Sequence, residues 1–386
     1  MPIDRRRRKC YAKKMQSFTL KSGGNKTILA LGAESAGNFS IYSKNKICFS
    51  RDFGDLLIDK NFQNYQTTLS GFLKKNKIKP DIILIDLHPL YRTTELGKNL
   101  SKKYRAKLLP VQHHLAHIFA AVGEEQLTKP TKFNTCFYGL ACDGTGYGQD
   151  NKIWGGEVFK FTATHSKIIT FERIGRLENQ IMIGADLAVK EPARMLLAVL
   201  AKFLSKEQIY VYLKKYYNRN EFSLLFNQLS SGFNTTETSS TGRVLDAIAL
   251  LLGFAGNERQ FKHQPTRLLE EHSTIPYDDL KPKILPDKKT KKLILLTTPL
   301  FEYLIKNLRR NKKRLAATAQ LYLAQGFYKI INAHWNSKAP IYLGGGLMDN
   351  RIISSYLKSR GAIGNKKIAS GDASLAFGQL VYYLLS

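Results

Sequence analysis

The sequence predicts an α/β fold of two lobes separated by a cleft, and three observations lead there. The chain has 386 residues, too many for one compact core and enough for two lobes of about 150–200 residues each. Short apolar runs that end in glycine-rich turns recur along it, the pattern of strand hairpins. Helical patterns lie between these runs, and that alternation belongs to α/β chains. Two lobes of βββαβα order are the arrangement expected. No tandem repeat with a period of about 20–50 residues is present.

Taken in order, residues 1–26 are basic and close on Ser22-Gly23-Gly24, which reads as a tail or linker. The N-terminal lobe is expected over 27–160. It opens with three β-type runs over 27–53, separated by Gly, Ser and Asn. A helix is expected near 60–77. Residues 80–89 form a continuous apolar run ending in polar residues, the mark of a buried strand. A helix at 93–104 and a short strand at 107–112 follow. In 113–127, Leu115, Ile118, Ala121 and Val122 recur at helical spacing. A second β pair with a glycine-rich turn between its strands completes the lobe. The C-terminal lobe, 161–386, carries long helical patterns at 187–203, 206–216, 242–256, 298–310 and 313–336. Its last helix, 373–385, is expected to pack back toward the cleft.

Hydrophobic residues make up 43% of the chain, enough for a substantial core. No run approaches the ~20 apolar residues of a membrane helix, and the basic N-terminus lacks the apolar segment of a secretory signal. Cys10, Cys48, Cys136 and Cys142 stand alone, without a CxxC pair. Reduced thiols in the cytoplasm are expected, with neither a disulfide frame nor a zinc finger. Lys and Arg number 60 against 30 Asp and Glu, a formal charge of +30. A field of that size attracts polyanions. Because the lysines are spread along the chain, two readings stay open: a lysine-rich bias of composition, or binding of RNA or another acidic partner.

His113 and His117 lie four apart on the expected helix, which puts both imidazoles on one face. Neutral imidazole is a common nitrogen ligand of divalent metals, and a satisfied structural pair is the other reading. Asp143, directly before a GTGYG turn, and Asp372, in SGDASLAFGQ, each lie at a strand-to-turn junction, where sites of open α/β sheets form. Two imidazoles and two carboxylates suit iron, zinc or manganese, with spare coordination positions for a substrate oxygen. His114 is expected to point off that face, as a proton carrier beside the site or as a surface residue.

Three glycine turns follow apolar strands: Gly32 to Gly37, Gly144-Thr145-Gly146-Tyr147-Gly148, and Gly344-Gly345-Gly346. Such turns let backbone N–H groups approach phosphate oxygens. The P-loop and dinucleotide patterns are both absent. Asn350 either reads a base or ribose or belongs to a helix N-terminus. Arg243 and Asp246, three apart, either hold an adenosine or form an ion pair within their helix. Lys190-Glu191-Pro192 with Arg194 is either a set of ligand-facing charges or a helix entrance beside a proline.

Together these motifs resemble the C-terminal carbamoyltransferase domain of the hydrogenase maturation factor HypF. The matching pieces are LALGAE at 29–34, DLHPLY at 86–91, VQHHLAHI at 111–118, DGTGYG at 143–148 and IWGGE at 153–157. EPARM at 191–195, SSTGRVLDA at 239–247, GGGLMDNR at 344–351 and GDASLAFGQ at 371–379 continue them in the family's order. RRRRKCYAKK at 5–14 resembles the linker that precedes the domain. The fold implied is the two-lobed actin-like ATPase (ASKHA) type, shared with tRNA threonylcarbamoyladenosine synthases and antibiotic O-carbamoyltransferases. HHLAH and the intact DGTGYG look more like HypF than like the synthases.

The resemblance implies a metal on His113, His117, Asp143 and Asp372, with His114 and Asp143 taking part in catalysis. It implies ATP or a carbamoyl-adenylate in the interlobe cleft, beside Gly144, Thr145, Gly146, Asp186, Lys190, Arg243, Asp246, Gly344, Gly345, Gly346 and Asn350. The carbamoyl group would pass to the C-terminal cysteine of a HypE-like acceptor protein. A full-length HypF carries acylphosphatase, zinc-finger and YrdC-like parts upstream, and this chain shows none of them. A separate YrdC-like adenylating protein is therefore expected as the donor. The first glycine turn reads ESAGN where the family often has a lysine, Gly184-Ala185-Asp186 replaces a usual GGD, and Lys262 stands where an acidic residue is common. Transfer of a carbamoyl or threonylcarbamoyl group to tRNA or a small molecule, and a non-catalytic nucleotide- or RNA-binding role, are the alternatives.

Overall fold

A computed structural model describes residues 15–19, 25–128, 136–163, 169–335 and 339–386. The first sheet contains β1 (Gln16–Thr19), β2 (Ile28–Ala30), β3 (Ser40–Ser43), β4 (Lys46–Phe49), β5 (Ile82–Asp86) and β6 (Lys107–Val111), in the order β1-β4-β3-β2-β5-β6. Lys44 and Asn45 join β3 to β4 with positive φ at both residues, the geometry that matches a twisted two-residue hairpin. The β5 strand pairs in parallel with β2 and with β6, because α1 (Asp59–Lys75) and α2 (Arg92–Tyr104) return the chain between them. All five residues of β5 are buried, which is why its sequence is a continuous apolar run up to Asp86.

Helix α3 (His113–Thr128) leads to the second sheet. Its long antiparallel centre is β7 (Cys136–Tyr147), β8 (Ile153–Ala163) and β9 (Ile169–Leu177). The short strands β10 (Gln180–Ile183) and β11 (Thr235–Thr238) join at the start of β8. On the far edge β13 (Leu293–Leu295) runs parallel to β9 and carries β12 (Ile284–Pro286). The strand β14 (Ile341–Gly344) runs parallel to β7. The remaining helices are α4 (Leu187–Lys190), α5 (Pro192–Leu200), α6 (Lys206–Leu213), α7 (Arg219–Ser231), α8 (Thr241–Leu251), α9 (Gln264–Glu271), α10 (Thr298–Lys306), α11 (Lys312–His334), α12 (Arg351–Lys358) and α13 (Leu375–Leu385).

One apolar cluster joins Ile28, Ile82 and Leu84 of the first sheet to Phe137, Phe159 and Phe161 of the second, through Phe119 of α3 and Phe377 of α13. The two helices therefore form a layer between the sheets. They approach so closely that a Cβ on Gly378 would fall 1.8 Å from the Ala116 carbonyl oxygen. The terminal helix thus packs on α3 and against β2 and β3. No helix among the described residues is long and apolar enough to cross a membrane.

The structure moves several expected boundaries. Residues 16–19, expected in the tail, form β1 on β4. The hairpin β7–β8, expected in the first lobe, belongs to the second sheet, because β7 pairs with β14 about two hundred residues later. Gly144 to Tyr147 is not the hairpin turn but a bulged continuation of β7, whose register against β8 shifts between Cys142 and Gly146. The helical pattern 187–203 is broken at Glu191, before the Pro192 that opens α5. The strands β9 to β13 and the helices α7 and α9 lie in stretches where long helices, or nothing regular, had been expected. Asp372 follows no strand and sits in a single 3-10 turn, Gly371–Ser374.

Candidate metal centre

Gln112, the residue before α3, organises its first turn. Its Oε1 accepts the Leu115 N–H at 3.0 Å and its Nε2 donates to the Tyr147 carbonyl at 3.2 Å. Helical spacing then brings the His113 and His117 rings edge to face, with centroids 4.7 Å apart. Asp86, at the buried end of β5, accepts a hydrogen bond from His113 Nδ1 at 2.7 Å. Its other oxygen accepts the His88 N–H at 2.9 Å, which fixes the carboxylate. His113 is thereby turned so that Nε2 faces the space between the lobes.

Asp143 reaches the same space from β7 and Asp372 from its 3-10 turn. His113 Nε2 lies 3.3 Å from Asp143 Oδ2 and 3.8 Å from Asp372 Oδ1. His117 Nε2 lies 3.7 Å and 3.4 Å from the same two atoms. One ligand atom from each residue falls within 4.8 Å of every other. Among the described residues neither Nε2 atom has a hydrogen-bond partner, and both are buried, a costly state for polar atoms. Donors about 2.0–2.2 Å from one divalent ion would sit about 3.0–3.6 Å from each other; the 3.3 and 3.4 Å distances fall in that range and the 3.7 and 3.8 Å distances lie just beyond it, so the set would fit such an ion after a slight closing. His117 Nδ1 is likewise without a partner among the described residues, and its side chain lines a cavity with Gly344, Gly345, Asp349, Ser370 and Gly371.

The charges of the four groups are tightly linked. Burial opposes an imidazolium at His113, but Asp86 and Asp143 outweigh it and raise its pKa well above the ordinary value. His117 is raised too, with burial opposed by the nearby carboxylates of Asp143 and Asp372. Burial would raise both carboxylates. His113 and His117 instead hold Asp143 well below the usual range, and the Lys262 ammonium leads in lowering Asp372. The metal-free centre is therefore a cluster of imidazolium and carboxylate, whose protons a metal would displace.

His114 is fully buried, so the surface reading fails. Its Nδ1 lies 2.8 Å from Gln112 Nε2, whose orientation is fixed by Leu115 and Tyr147. Nδ1 must then be the acceptor, and Nε2 carries the proton with no partner. Burial, aided by His113, pushes its pKa well below the ordinary value. His114 is a neutral hydrogen-bond donor, held against Gly146, where a Cβ would fall 2.4 Å from the imidazole Cε1.

The expected nucleotide residues divide. Gly144 and Gly146 line the centre, and Ser240 Oγ donates to the Gly144 carbonyl at 2.5 Å, tying α8 to this segment. Thr145 is exposed. Arg243 and Asp246 are buried and form the ion pair, Nη2 to Oδ2 at 2.7 Å. Arg243 Nε is left without a partner. Gly344, Gly345 and Gly346 pass close to α3 and β7, and Gly345, at φ +96°, has no room for a Cβ beside the Cys142 carbonyl. Asn350 caps α12: its Oδ1 accepts the Ile353 N–H and its Nδ2 donates to Gln320. That commits one donor and one acceptor of its amide within the fold, which is the helix-start reading. Glu191 pairs with Arg194 at 2.7 Å at the mouth of α5, which is the helix-entrance reading. The Lys190 side chain is exposed, while its carbonyl accepts the Arg259 N–H. Asp186 is exposed and acts electrostatically on His88.

Sequence reasoning missed four contributors. Asp86 lay inside a quoted motif, and a lone acid ending a buried strand was its signal. Glu124, two turns below His117, accepts the N–H groups of Lys366, Lys367 and Ile368 and anchors the segment leading to Asp372. Arg259 and His263, in the irregular segment before α9, had no pattern to betray them, although Asp143 and Asp372 act electrostatically on His263.

Comparisons with known proteins place the chain in a family. Residues 139–379 match the family described as carbamoyltransferase, Kae1-like domain, second subdomain, and residues 23–124 match the HypF Kae1-like domain. A probable carbamoyltransferase HypF of Methanocaldococcus jannaschii is 34% identical over 94% of this chain and 47% of its own length. A carbamoyltransferase HypF homolog of Cupriavidus necator is 27% identical over 95% of this chain and 93% of its own. The crystal structure of a full-length HypF in its phosphate- and nucleotide-bound form superimposes with a TM-score of 0.84, at 25% identity over 96% of this chain and 47% of that one. The chain thus spans about half of the first relative and of the crystallised protein. The likeness bears out the expected actin-like ATPase type of fold.

Proposed function

The chain belongs to the HypF carbamoyltransferase family, as its Kae1-like domain, and from that premise we propose that it moves a carbamoyl group from an adenylate to an acceptor thiolate at the four-residue centre. The observation that carries this reading is the pair of buried, unpartnered Nε2 atoms of His113 and His117 facing Asp143 and Asp372. His113, His117, Asp143 and Asp372 would hold one divalent ion, of iron, zinc or manganese. Such an ion supplies charge stabilisation to a carbonyl or phosphate oxygen.

The chain's own residues do the rest. Asp86 orients His113. The proton on His114 Nε2 is a fixed donor for an oxygen that gains negative charge during transfer. The glycine segments 144–148 and 344–346 bring backbone within reach of an adenylate. Buried Arg243, with its free Nε, supplies a cation beside Gly144. In the step itself the acceptor enters as a thiolate, its proton already given up to solvent, and its sulfur forms a C–S bond to the carbamoyl carbon. The bond from that carbon to the phosphate oxygen breaks and AMP leaves with the electron pair.

The acceptor in this reading is the C-terminal cysteine of a HypE-like protein, and a separate YrdC-like protein supplies the adenylate in the cytoplasm. The test is to incubate the chain with HypE, carbamoyl phosphate, ATP and a YrdC-like protein, and to weigh the acceptor by mass spectrometry. A carbamoyl adduct on the terminal cysteine is expected with the wild type and not with His117→Ala. Transfer that persists after chelation, or that survives in His117→Ala, would overturn the reading. The +30 charge favours tRNA as the second acceptor to try, and binding that does not weaken with rising salt would remove it.

A further inference from the structure

The two oxygens of Asp372 are divided between two neighbours. Oδ1 faces the histidines, while Oδ2 accepts from Lys262 Nζ at 3.1 Å and from the Ser35 hydroxyl. Lys262 Nζ also reaches Ser35 Oγ at 2.8 Å. Lys262 stands in the segment between α8 and α9 of the second lobe, and Ser35 in the glycine turn of the first. One ammonium thus spans the cleft at the edge of the centre.

Three features bear on what it does. First, its side chain is 46% exposed while that of Asp372 is 12% exposed, so the lysine sits on the solvent side, on a flexible four-carbon stem. Second, a divalent ion on Oδ1 and an ammonium on Oδ2 would share one carboxylate, and the two cations repel at that separation. Third, the segment carrying Lys262 is basic and held in place. The Arg259 N–H binds the Lys190 carbonyl and its Nε binds the Phe261 carbonyl. His263 adopts φ +65°, an unusual conformation for a residue with a Cβ, and lies near Gly346. The turn across the cleft, residues 32–37, offers Glu34 and no cation.

We propose that Lys262 is a specificity-determining residue that neutralises Asp372 from across the cleft in the metal-free centre and turns to the anionic group of an adenylate once a divalent ion takes up that carboxylate. This rests on the metal-centre reading. The lysine is a counter-charge exchanged between two partners. It competes with the metal and assists the anion, and those two effects have opposite signs.

The experiment is a calorimetric titration of Mn2+ into the metal-stripped full chain, followed by AMP into the Mn2+-loaded chain. Wild type, Lys262→Met and Lys262→Arg are compared. Methionine keeps much of the stem without the charge. Lys262→Met is expected to bind Mn2+ about threefold or more tighter and AMP about tenfold weaker. Lys262→Arg should keep both affinities within about threefold of wild type. Mn2+ affinity that falls in Lys262→Met would make the lysine a mere support of Asp372 and overturn the proposal. AMP affinity that does not change would overturn it equally. A wild type that binds no Mn2+, Zn2+ or Fe2+ would sink the metal reading itself, whereas normal metal binding with no effect of Lys262→Met sinks the exchange alone.

Discussion

The two lobes repeat one strand plan and use it differently. In the first, β2, β3 and β4 form antiparallel hairpins and β5 lies parallel beside β2. In the second, β7, β8 and β9 do the same and β14 lies parallel beside β7. The turn after β2 brings Ser35 to the cleft, and the end of β5 brings Asp86, which touches only the far side of an imidazole. At the matching places of the second lobe, β7 supplies Asp143, which faces the centre directly, and β14 supplies glycine backbone. The second lobe provides the reactive face and the first lobe provides orientation. The layer between them, α3 and α13, carries the histidines and follows directly on Asp372. That division explains why the centre draws on both lobes although only one strand end supplies a proposed ligand.

The largest expected effect tests that division. Asp143→Ala removes a proposed ligand, and its divalent-ion affinity should fall more than about a hundredfold. Asp86→Asn keeps the shape but weakens the orientation of His113, and should cost about tenfold to a hundredfold. Calorimetry with Zn2+ or Mn2+ on both variants reads the difference. Equal losses would mean that the two strand ends are equivalent and that the comparison is mistaken.

Next in size is the pH dependence. The pKa values of His113 and His117 are raised in the metal-free centre, and those of Asp143 and Asp372 are lowered. Near neutral pH the carboxylates are then ionised and the imidazoles still hold protons that a metal must displace. Affinity should therefore climb as pH rises through the folded imidazole values, by about tenfold to a hundredfold per pH unit as one to two protons are released. Repeating the titration in buffers of different ionisation enthalpy counts those protons. An affinity independent of pH between 6 and 8, an interval of about two units around the ordinary histidine value, would show that the imidazoles are neutral before binding. In Asp86→Asn the slope should flatten, because burial at His113 would then be less opposed.

Much of this was legible in the sequence. Four-residue spacing alone put His113 and His117 on one helical face, and a carboxylate before a glycine segment marked Asp143. Lobe membership was not legible. Whether β7 belongs with the first sheet or the second depends on Ile341 to Gly344 pairing with Tyr138 to Ala141, a long-range choice that local periodicity does not encode. Ile169–Leu177 carried no regular expectation, and its strand character emerges only between β8 and β13. Asn350 had two readings open, a ligand residue or a helix start. A residue at a helix start can spend part of its amide on the cap, and the Asn350 Oδ1 does so here.

The smallest expected effect separates backbone that must be glycine from backbone that happens to be. Gly345 follows β14 at φ +96°, and a Cβ there would meet the Cys142 carbonyl oxygen at 2.1 Å. Gly345→Ala should lose about 2–5 kcal/mol of stability, combining positive-φ strain of about 1–2 kcal/mol with overpacking of about 1–3 kcal/mol. At Gly144, the nearest atom to a new Cβ is Arg243 Nη2 at 3.8 Å, with no positive φ to relieve. Gly144→Ala should therefore stay within about 0.5 kcal/mol of wild type in denaturant unfolding. Should an adenylate phosphate approach that backbone, the same methyl would instead weaken AMP binding in the metal-loaded chain while leaving the unfolding midpoint unchanged. Gly144 would then be a glycine kept for the ligand and Gly345 one kept for the fold, two different uses of glycine at neighbouring strand ends of one lobe.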